Sequence, residues 1–285
     1  MIAAVSNCWS LLTSAAEVLK LYAMLAQQRQ IAILDLVRRD GGVRVSQLVR
    51  QFGVSDMTIR RDLEALADRG LVDKVHGGAT VSGPGSTEEP GFEAKSVRQQ
   101  AEKAAIATHA ATLVEPGTAV ALSAGTTTAA LAARLTDVPG LTVVTNSIPV
   151  AEAMYHSRRT DQTVVLTGGV RTPSNALAGA VAEASISTLN VDVLFLGVHG
   201  MSPRAGFTTP NLIEAGTNRL LVAAARRLVV LADHTKWEIV GIATITALET
   251  ADVLITDSGL PPQACDELSQ RVGELVVCPT PVGPG

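Results

Sequence analysis

Hydrophobic positions recur at helical spacing in the first third of the chain. Ile59, Leu63 and Leu66 stand at i, i+4 and i+7, so they share one face of a helix and can pack inward. Arg60 and Arg61 then fall on the other side, towards solvent or a polyanion. The pattern predicts an amphipathic helix with an apolar back and a front rich in hydrogen-bond donors.

Two further helices are predicted before this one. Residues 29–39 carry hydrophobic positions at the same spacing and are followed by a pair of glycines. Residues 47–52 form a shorter run that Ser46 can cap and Gly53 can end. Ser55 can cap the third helix, which follows within a few residues. This spacing predicts a helix-turn-helix.

Two short β-prone runs follow in residues 71–81, around a Gly-Gly pair. They predict a β-hairpin, or wing, beside the helix-turn-helix. Lys74 and His76 are expected near its tip, where they can meet phosphate oxygens. A small helical bundle with ordinary surface arginines is the alternative interpretation of this region.

The remainder of the chain alternates continuous apolar runs with alanine-rich helical stretches. Such alternation predicts a mainly parallel α/β sheet covered on both faces. The predicted strands are residues 119–122, 141–145, 163–167, 191–196, 228–232 and 252–256, and the clearest helices are 127–135, 148–155 and 212–225.

Small, polar and cationic residues follow several of these predicted strands. Ligands of parallel sheets bind beyond the carboxyl ends of the strands, so these positions are candidates for a site. Gly125, Thr126 and Thr127 open a helix whose first N–H groups can hold a phosphate. Asn146 and the pair 168–169 end the next two strands, and Lys236 follows a later one. Together they favour a small anionic ligand, although a Gly-Thr-Thr turn on its own is also compatible with a purely structural role.

Charge is distributed unevenly along the chain. The whole sequence has a net charge of −4, whereas residues 27–81 hold nine basic and seven acidic side chains, an excess of two positive charges. The remainder therefore carries −6, and the basic excess coincides with the predicted helix-turn-helix. Aromatic residues make up only 3%, which argues against a stacking surface for single-stranded nucleic acid.

Neither a metal site, a cofactor motif nor a membrane segment is indicated. Cys8, Cys265 and Cys278 lie far apart without the spacing of metal ligands, and an odd number of cysteines without a disulfide framework fits a reducing cytoplasm. Residues 1–23 lack both the charged start of a secretion signal and the uninterrupted apolar length of a membrane helix. For this N-terminal extension we expect either a misassigned start, with the chain beginning at Met24, or a loosely packed extra helix.

Composition also predicts the domain limits. A Gly-, Pro- and Ser-rich stretch separates the two patterned regions and is typical of a linker. The expected order is an extension at 1–23, a winged helix-turn-helix at 24–81, a linker at 82–95, an α/β effector-binding and oligomerisation domain at 96–278 and a disordered tail at 279–285.

The motifs of both halves resemble the DeoR family of bacterial transcription regulators. In the first half the matching positions are Arg29, Ile33, Val37, Ser55, Thr58, Ile59, Arg60, Arg61, Asp62 and Leu63, followed by the V-D-K-V-H-G-G-A wing. In the second half they are the S-A-G-T-T-T turn, V-V-T-N-S, T-G-G, the D-V-L-F-L-G strand, G-F-T-T and A-D-H-T-K. The resemblance covers about residues 24–257.

This resemblance implies an effector domain related to ribose-5-phosphate isomerase and glucosamine-6-phosphate deaminase, and an effector that is a phosphorylated sugar or a related metabolite. By position it assigns ligand contacts to Gly125, Thr126, Thr127, Asn146, Gly168, Gly169 and Lys236. The chain departs from the family at Ser123, where an aspartate is usual, at His199, where the family has a small residue or Asn, and near Asn218, where it has a lysine.

Regulator and enzyme are the two functions to separate. A sugar-phosphate isomerase or deaminase needs a carboxylate base at a strand end, and residues 197–201 hold none where the related isomerases carry acidic side chains. We therefore predict a regulator without catalytic residues, more precisely a repressor that an effector releases, with an activator as the alternative. Its expected partners are a double-stranded DNA operator and further copies of itself, since paired recognition helices read repeated half-sites.

The predicted DNA-binding residues form the front of the third helix, its surroundings and the wing. They are Ser46, Ser55, Met57, Thr58, Arg60, Arg61, Lys74 and His76. Whether the arginines pair with guanine or grip the phosphate backbone is left open by the sequence.

Overall fold

A computed structural model describes residues 26, 28–37, 42–68, 71–75, 77–81, 91–157 and 159–280. The chain divides into two compact units between Gly83 and Pro84. The predictions for the extension at 1–23, for His76, for linker residues 82–90 and for tail residues 281–285 fall outside the described residues.

The described residues of the first unit form three helices and a small antiparallel sheet. The helices are α1 (residues 28–37), α2 (Val45–Phe52) and α3 (Asp56–Asp68). The strands are β1 (Gly42–Arg44), β2 (Val72–Val75) and β3 (Gly78–Val81), in the order β1-β3-β2. The predicted helix-turn-helix and hairpin are confirmed, whereas β1, which lies next to the expected glycine terminator of α1, was not predicted.

The hydrophobic stripe of α3 packs as its spacing predicts. Ile59, Leu63 and Leu66 are buried, together with Ile33 of α1 and Leu48 of α2. A single apolar cluster thus holds the three helices together, and it leaves the opposite side of α3 to solvent.

The predicted cap of α2 is wrong. Helix α2 begins at Val45, so Ser46 stands inside the helix and is exposed, and Arg44 occupies the cap position without a side-chain hydrogen bond. The N–H of Val45 instead donates to the carbonyl oxygen of Gly77 in the hairpin turn at 2.9 Å. A long-range backbone contact has replaced the local cap, because the hairpin brings an acceptor to the start of the helix. Gly53 ends the helix as expected, with φ of 64°.

The second unit is built on a seven-stranded parallel sheet. Its strands run in the order β15-β14-β12-β9-β4-β5-β6, which puts all their carboxyl ends at one edge. They are β4 (Ala119–Leu122), β5 (Thr142–Thr145), β6 (Thr163–Leu166), β9 (Val191–Gly197), β12 (Ala225–Leu231), β14 (Val253–Asp257) and β15 (Leu275–Cys278).

Helices cover both faces of this sheet. They are α4 (Phe92–Ser96), α5 (Gln100–Ala111), α6 (Thr126–Leu135), α7 (Ile148–Tyr155), α8 (Ala180–Ile186), α9 (Leu212–Ala224) and α10 (Pro262–Ser269). One apolar cluster includes Ile106 and Leu131 and packs on one face, while another includes Leu221 and Leu268 and packs on the other. This arrangement confirms the predicted mainly parallel α/β fold.

Short antiparallel elements complete the second unit, and they were not predicted. Strands β10 (Gly200–Ser202), β11 (Gly206–Thr209) and β13 (Ala243–Thr246) form a separate sheet, and β7 (Val170–Arg171) pairs with β8 (Leu177–Ala178). Residues 92–95, which the predicted domain limits assigned to the linker, belong to α4.

Candidate functional site

The outer face of α3 carries the side chains that the sequence assigned to DNA contact. Met57 is 63% exposed, and Arg60 and Arg61 are exposed as well. Ser55 caps the helix as predicted: its Oγ accepts a hydrogen bond from the N–H of Thr58 at 3.2 Å and lies 2.9 Å from the Thr58 hydroxyl. The cap therefore ties Thr58 to the start of the helix, while the two arginines project from its first turns.

The two arginines differ in their surroundings. Arg60 Nε donates to Asp56 Oδ1 at 2.5 Å, and this hydrogen bond, together with the charge of Asp56, raises the pKa of Arg60. Arg61 forms no ion pair with another described residue. A polyanion must therefore compete with Asp56 for Arg60, whereas Arg61 can meet it directly.

An ion pair beneath α3 positions this helix, and sequence reasoning missed its role. Arg29 Nε donates to Asp62 Oδ2 at 2.5 Å, and Gln30 Nε2 donates to Asp62 Oδ1 at 3.1 Å. Asp62 is only 3% exposed. The signal was present in the sequence, because Asp62 stands three residues after Ile59 and so falls on the buried face.

The last cross-strand pair of the hairpin is Val75 with Gly78. Lys74 pairs with Ala79, so Lys74 stands one pair away from the turn. A Cβ at Gly78 would lie 2.1 Å from the carbonyl oxygen of Val43, so this position has room only for glycine. The described residues thus leave Lys74 near the tip, and His76 lies outside them.

The predicted ligand residues of the second unit all lie at the carboxyl edge of the parallel sheet. Strands β9, β4, β5 and β6 are neighbours there, and Gly125 with Thr126 opens α6 directly beyond β4. Lys236 follows β12, which is separated from β4 by β9 alone. Two strand spacings correspond to roughly 10 Å.

Ser123 has a structural partner at this edge. It is fully buried, and its Oγ accepts a hydrogen bond from the N–H of Gly197 at 2.9 Å, while its own N–H donates to the carbonyl of Phe195 at 3.1 Å. The residue at the position of the family aspartate therefore joins β4 to β9.

Asn146 holds the turn in place from the next strand. Its Oδ1 accepts from the N–H of Ala124 at 3.0 Å and its Nδ2 donates to the carbonyl of Leu177 at 3.2 Å. With 1% of its surface exposed, Asn146 is suited to positioning the turn before α6. We therefore interpret it as a residue that orients the site.

The two glycines after β6 are required by packing. Gly168 and Gly169 have φ of 73° and 123°, in the region that favours glycine. A Cβ at Gly169 would lie 2.8 Å from the carbonyl oxygen of Ala178, so the strand of the β7–β8 hairpin passes directly against it. The backbone conformation accounts for Gly168, and the conformation together with the close contact accounts for Gly169, without a ligand.

Thr126 is the most accessible of the threonines that begin α6. Thr127 and Thr128 are buried, and Thr128 Oγ1 donates to the carbonyl of Gly125 at 3.0 Å. Among the described residues no side chain caps this helix, so its first N–H groups are available to an acceptor beyond the sheet edge.

Lys236 ends a 3₁₀ turn, His234–Lys236, that Asp233 caps by accepting from the N–H of Thr235 at 3.1 Å. Within the part of the chain that the structure describes, the Lys236 ammonium makes no hydrogen bond or ion pair. It is half-buried beside the strand ends, and this placement suits a contact with an anion.

His234 was not singled out from the sequence, yet it belongs to a well-defined pair. Its Nδ1 lies 2.7 Å from Asp257 Oδ1, and its backbone N–H donates to Asp257 Oδ2 at 2.8 Å. The hydrogen bond with Asp257 raises the pKa of His234, against the effect of burial. Burial raises the pKa of Asp257, but the hydrogen bonds from His234 and from the N–H of Gly259 outweigh it, so the pKa of Asp257 is lowered.

Two surface cavities lie elsewhere. One of about 440 Å³ is lined by the C-terminal ends of α6 and α7, including Asp137 and His156. Another, of about 310 Å³, lies at the amino ends of β9 and β12, around Asp192 and Arg226. Both are remote from the carboxyl edge, and neither combines the small residues and cations found there.

The described residues hold no group of three or more His, Cys, Asp or Glu side chains arranged to bind a metal ion. None of their helices has the length and apolar composition needed to cross a membrane.

Both units match family models. Residues 29–84 match the DeoR-like helix-turn-helix domain, and residues 98–258 match the DeoR C-terminal sensor domain. Ribose 5-phosphate isomerase A from Methanocaldococcus jannaschii aligns with 47% of this chain and 53% of its own chain at 16% identity, with a TM-score of 0.35. A likeness at that level does not bear on activity.

Similar regulators align over most of their length. YgbI of Escherichia coli K12, an HTH-type transcriptional regulator, is 36% identical over 89% of this chain and 98% of its own. GolR of Listeria innocua, also an HTH-type transcriptional regulator, is 37% identical over 82% and 92%. The glycerol-3-phosphate regulon repressor of E. coli K12 is 28% identical over 90% and 100%. The chain therefore belongs to the DeoR family of transcription regulators, with a helix-turn-helix domain followed by the family's sensor domain.

Proposed function

We propose that this regulator represses genes of carbohydrate metabolism and is released from its operator by a phosphorylated sugar or a related metabolite. The proposal for the sensor domain rests on the carboxyl edge of the parallel sheet. The uncapped start of α6 and Lys236 lie at strand ends there, and residues 197–201, at the end of β9 between them, include no carboxylate. The name of the E. coli glycerol-3-phosphate regulon repressor supports both the sign of regulation and the phosphorylated class of effector.

The proposed ligand contacts are narrower than the residues that the sequence suggested. Gly125, Thr126, Thr127 and Lys236 are proposed to touch the effector. Asn146, Gly168 and Gly169 are proposed to shape the edge, because their atoms already serve protein contacts. The phosphate is expected at the start of α6 and a hydroxyl or second anionic group near Lys236.

On the DNA side, α3 is proposed to enter the major groove of a double-stranded operator, with Met57, Thr58, Arg60 and Arg61 at its front. Ser46 and Ser55, near the starts of their helices, and Lys74 and His76, at the hairpin, are proposed to contact the phosphate backbone. The protein is proposed to act in the cytoplasm as a homo-oligomer, because operators with repeated half-sites need more than one recognition helix.

The two functions are assigned to the two units of the chain. We propose residues 24–81 as the DNA-binding domain and residues 92–278 as the effector-binding and oligomerisation domain. The connecting segment then ends before α4, a few residues earlier than the domain limit predicted at residue 95.

A screen with two readouts tests this function. The full-length protein is mixed with phosphorylated sugars, and each is scored for thermal stabilisation and for release of an operator fragment selected from random DNA. Lys236→Ala is expected to abolish the stabilisation and keep DNA binding, whereas Arg226→Ala, at the amino end of β12, is expected to change neither. If the Lys236→Ala variant is still stabilised, the effector binds at another site. If the effector strengthens DNA binding, the protein is not a repressor that its effector releases.

Enzyme assays complete the test. Ribose 5-phosphate and glucosamine 6-phosphate are offered to the protein, and no turnover is expected because the strand end after β9 has no carboxylate to serve as the base. Turnover of either compound would overturn the assignment to a regulator without catalysis.

A further inference from the structure

A buried lysine holds the segment that precedes α5. Lys103 is 7% exposed, and it lies on the buried face of α5 together with Ile106, Ala107 and Ala110. Its Nζ donates to the carbonyl oxygens of Lys95 and Arg98, both at 2.5 Å. One ammonium therefore links the backbone at Lys95 and at Arg98 to the first turn of α5.

The other end of this segment is attached to a different part of the carboxyl edge. The N–H of Phe92 donates to the carbonyl of Pro173 at 3.1 Å, and Lys95 Nζ donates to Ser174 Oγ at 2.7 Å. Pro173 and Ser174 lie in the loop between β7 and β8, which also reaches the start of α7 through the carbonyl of Asn175. Residues 91–99, which we call the strap, thus cross from this loop to α5, and α4 within the strap contacts α6.

The ammonium of Lys103 lies in an environment with an excess of positive charge. Burial lowers the pKa of Lys103, and the nearby charges of Lys236, Lys95 and Arg98 lower it further, while Asp233 alone acts to raise it. Asp233 already accepts hydrogen bonds from the N–H and hydroxyl of Thr235. A buried cation among other cations is costly, and an anion bound beside it would offset that cost.

We propose that Lys103 is a second cationic contact of the effector site and that its two carbonyl bonds make the strap respond to a bound phosphate dianion. An ammonium has three N–H donors, and two of those of Lys103 are used by Lys95 and Arg98, which leaves the third for an anion held by Lys236. An anion on the third N–H would restrain the position of the ammonium, and the two carbonyl bonds would pass that restraint to the strap. This inference rests on the proposed effector class.

The strap is also the point at which the sensor domain continues into the DNA-binding domain. From Gly91 the chain runs back through residues 84–90 to the winged helix-turn-helix. An anion that tightens the strap therefore acts on the covalent connection between effector and operator. A ligand shifts only an equilibrium whose states it binds unequally, and a loose and a tight strap are two such states.

Hydrogen exchange measured on the full-length protein tests the proposal. The probe is inorganic phosphate, with sodium chloride at matched ionic strength as the reference. In the wild type, phosphate is expected to slow the exchange of the Phe92 and Arg98 amides by about fivefold or more, the lower end of ordinary coupling between sites. A clamp that is only structural would protect both amides equally in the two salts.

Two substitutions separate the charge of Lys103 from its hydrogen bonds. Lys103→Gln keeps a donor for the strap but has no charge, and Lys103→Met keeps neither. Both are expected to bind phosphate more weakly, with a smaller thermal shift that still depends on Lys236, and to lose the slowing of exchange in the strap. Arg226→Met removes one positive charge at the opposite end of the sheet and is expected to behave as the wild type.

The outcomes distinguish this proposal from the function on which it rests. If phosphate stabilises the wild type but does not slow hydrogen exchange of the strap amides, the proposed role of the strap is wrong and the proposed effector class is unaffected. A wild-type response retained in Lys103→Gln overturns the role of the Lys103 charge. If neither phosphate nor any phosphorylated sugar stabilises the wild type, both the effector class and this subsite are wrong.

Discussion

The hydroxyl oxygen of Ser123 accepts a hydrogen bond from the backbone N–H of Gly197 at 2.9 Å, and this contact joins β4 to β9 at the edge where the effector is proposed to bind. An aspartate is usual in the family at this position. Ser123 therefore offers one neutral acceptor, and the backbone N–H of Gly197 already uses it. An aspartate here would have a second carboxylate oxygen to accept hydrogen bonds from sugar hydroxyls. The substitution explains how the edge remains intact without the aspartate, and it predicts an effector with less need for a hydroxyl acceptor here.

Ser123→Ala should destabilise the sensor domain. The N–H of Gly197 loses its acceptor in a buried setting, and an unsatisfied buried donor costs about 1–3 kcal/mol. Urea unfolding of the full-length protein measures the change. Ser185→Ala removes an exposed hydroxyl that donates within α8 and serves as the matched control. Equal effects of the two substitutions would show that the Ser123 contact contributes nothing specific.

Asp62→Asn should loosen the DNA-binding domain. The substitution removes the buried charge that Arg29 and Gln30 contact, and hydrogen bonds to charged groups contribute roughly 1.5–3 kcal/mol each. We expect a lower unfolding midpoint for this domain and weaker operator binding. Asp56→Asn, in the exposed pair with Arg60 on the same helix, is the control and should change stability little. A larger effect at Asp56 than at Asp62 would contradict the role of the buried pair.

Arg61→Ala should reduce the free energy of operator binding by more than Arg60→Ala does. Arg61 has no ion pair with a described residue, whereas Arg60 must first leave Asp56. A phosphate contact would reduce the slope of log K against log salt by about 0.9. A base contact would relax the preferred sequence instead. Fluorescence anisotropy at several salt concentrations measures both, with Arg226→Ala as a control for loss of charge. Unchanged affinity and slope would remove an arginine from the interface.

The His234–Asp257 pair should make the stability of the sensor domain depend on pH. The folded-state pKa of His234 is raised, so its contribution is fully present below the unfolded value of about 6.5 and is lost as pH rises through the folded value. The folded-state pKa of Asp257 is lowered, so its contribution is present above about 3.9 and is lost as pH falls through the folded value.

The stabilising window of the pair therefore lies between these two limits. Asp233 and Glu102 also face His234 and act in the same direction on its pKa. Thermal unfolding of His234→Gln and of the wild type from pH 4 to 9 measures the difference, which should be largest in the window and shrink above it. His156→Gln, at the C-terminal end of α7, is the control. A difference that does not vary with pH would assign His234 a role in packing only.

The elements of the fold could be read from spacing because spacing is a local property. Ile59, Leu63 and Leu66 place α3, and the runs at 119–122 and 148–155 coincide with β4 and α7 as observed. Elements without such a pattern were missed. Strand β1 is three residues long and exists through its pairing with β3, and the sheet of β10, β11 and β13 joins segments far apart in sequence.

The roles of individual site residues depended on contacts between distant segments. Ser46 stood where a local cap was expected, but the carbonyl of Gly77 receives the first N–H of α2 instead. Gly169 looked like a residue for close approach of a ligand, and it is close to Ala178 of the protein itself. Lys103 interrupts an apolar stripe, and only the fold shows that its ammonium holds the strap.

The sequence by itself determined the family, the order of the two domains and the outward face of α3, and it predicted the strand ends at which a ligand is proposed to bind. These follow from periodicity and from motifs within short stretches of chain, where neighbouring residues share one helix or one turn. Only the tertiary structure decided which polar atoms at those strand ends already have protein partners, as in Ser123 and Asn146, and which make no hydrogen bond or ion pair with another described residue, as in Lys236. The physical reason is that a hydrogen bond between two strands depends on their register and order, which no local pattern encodes.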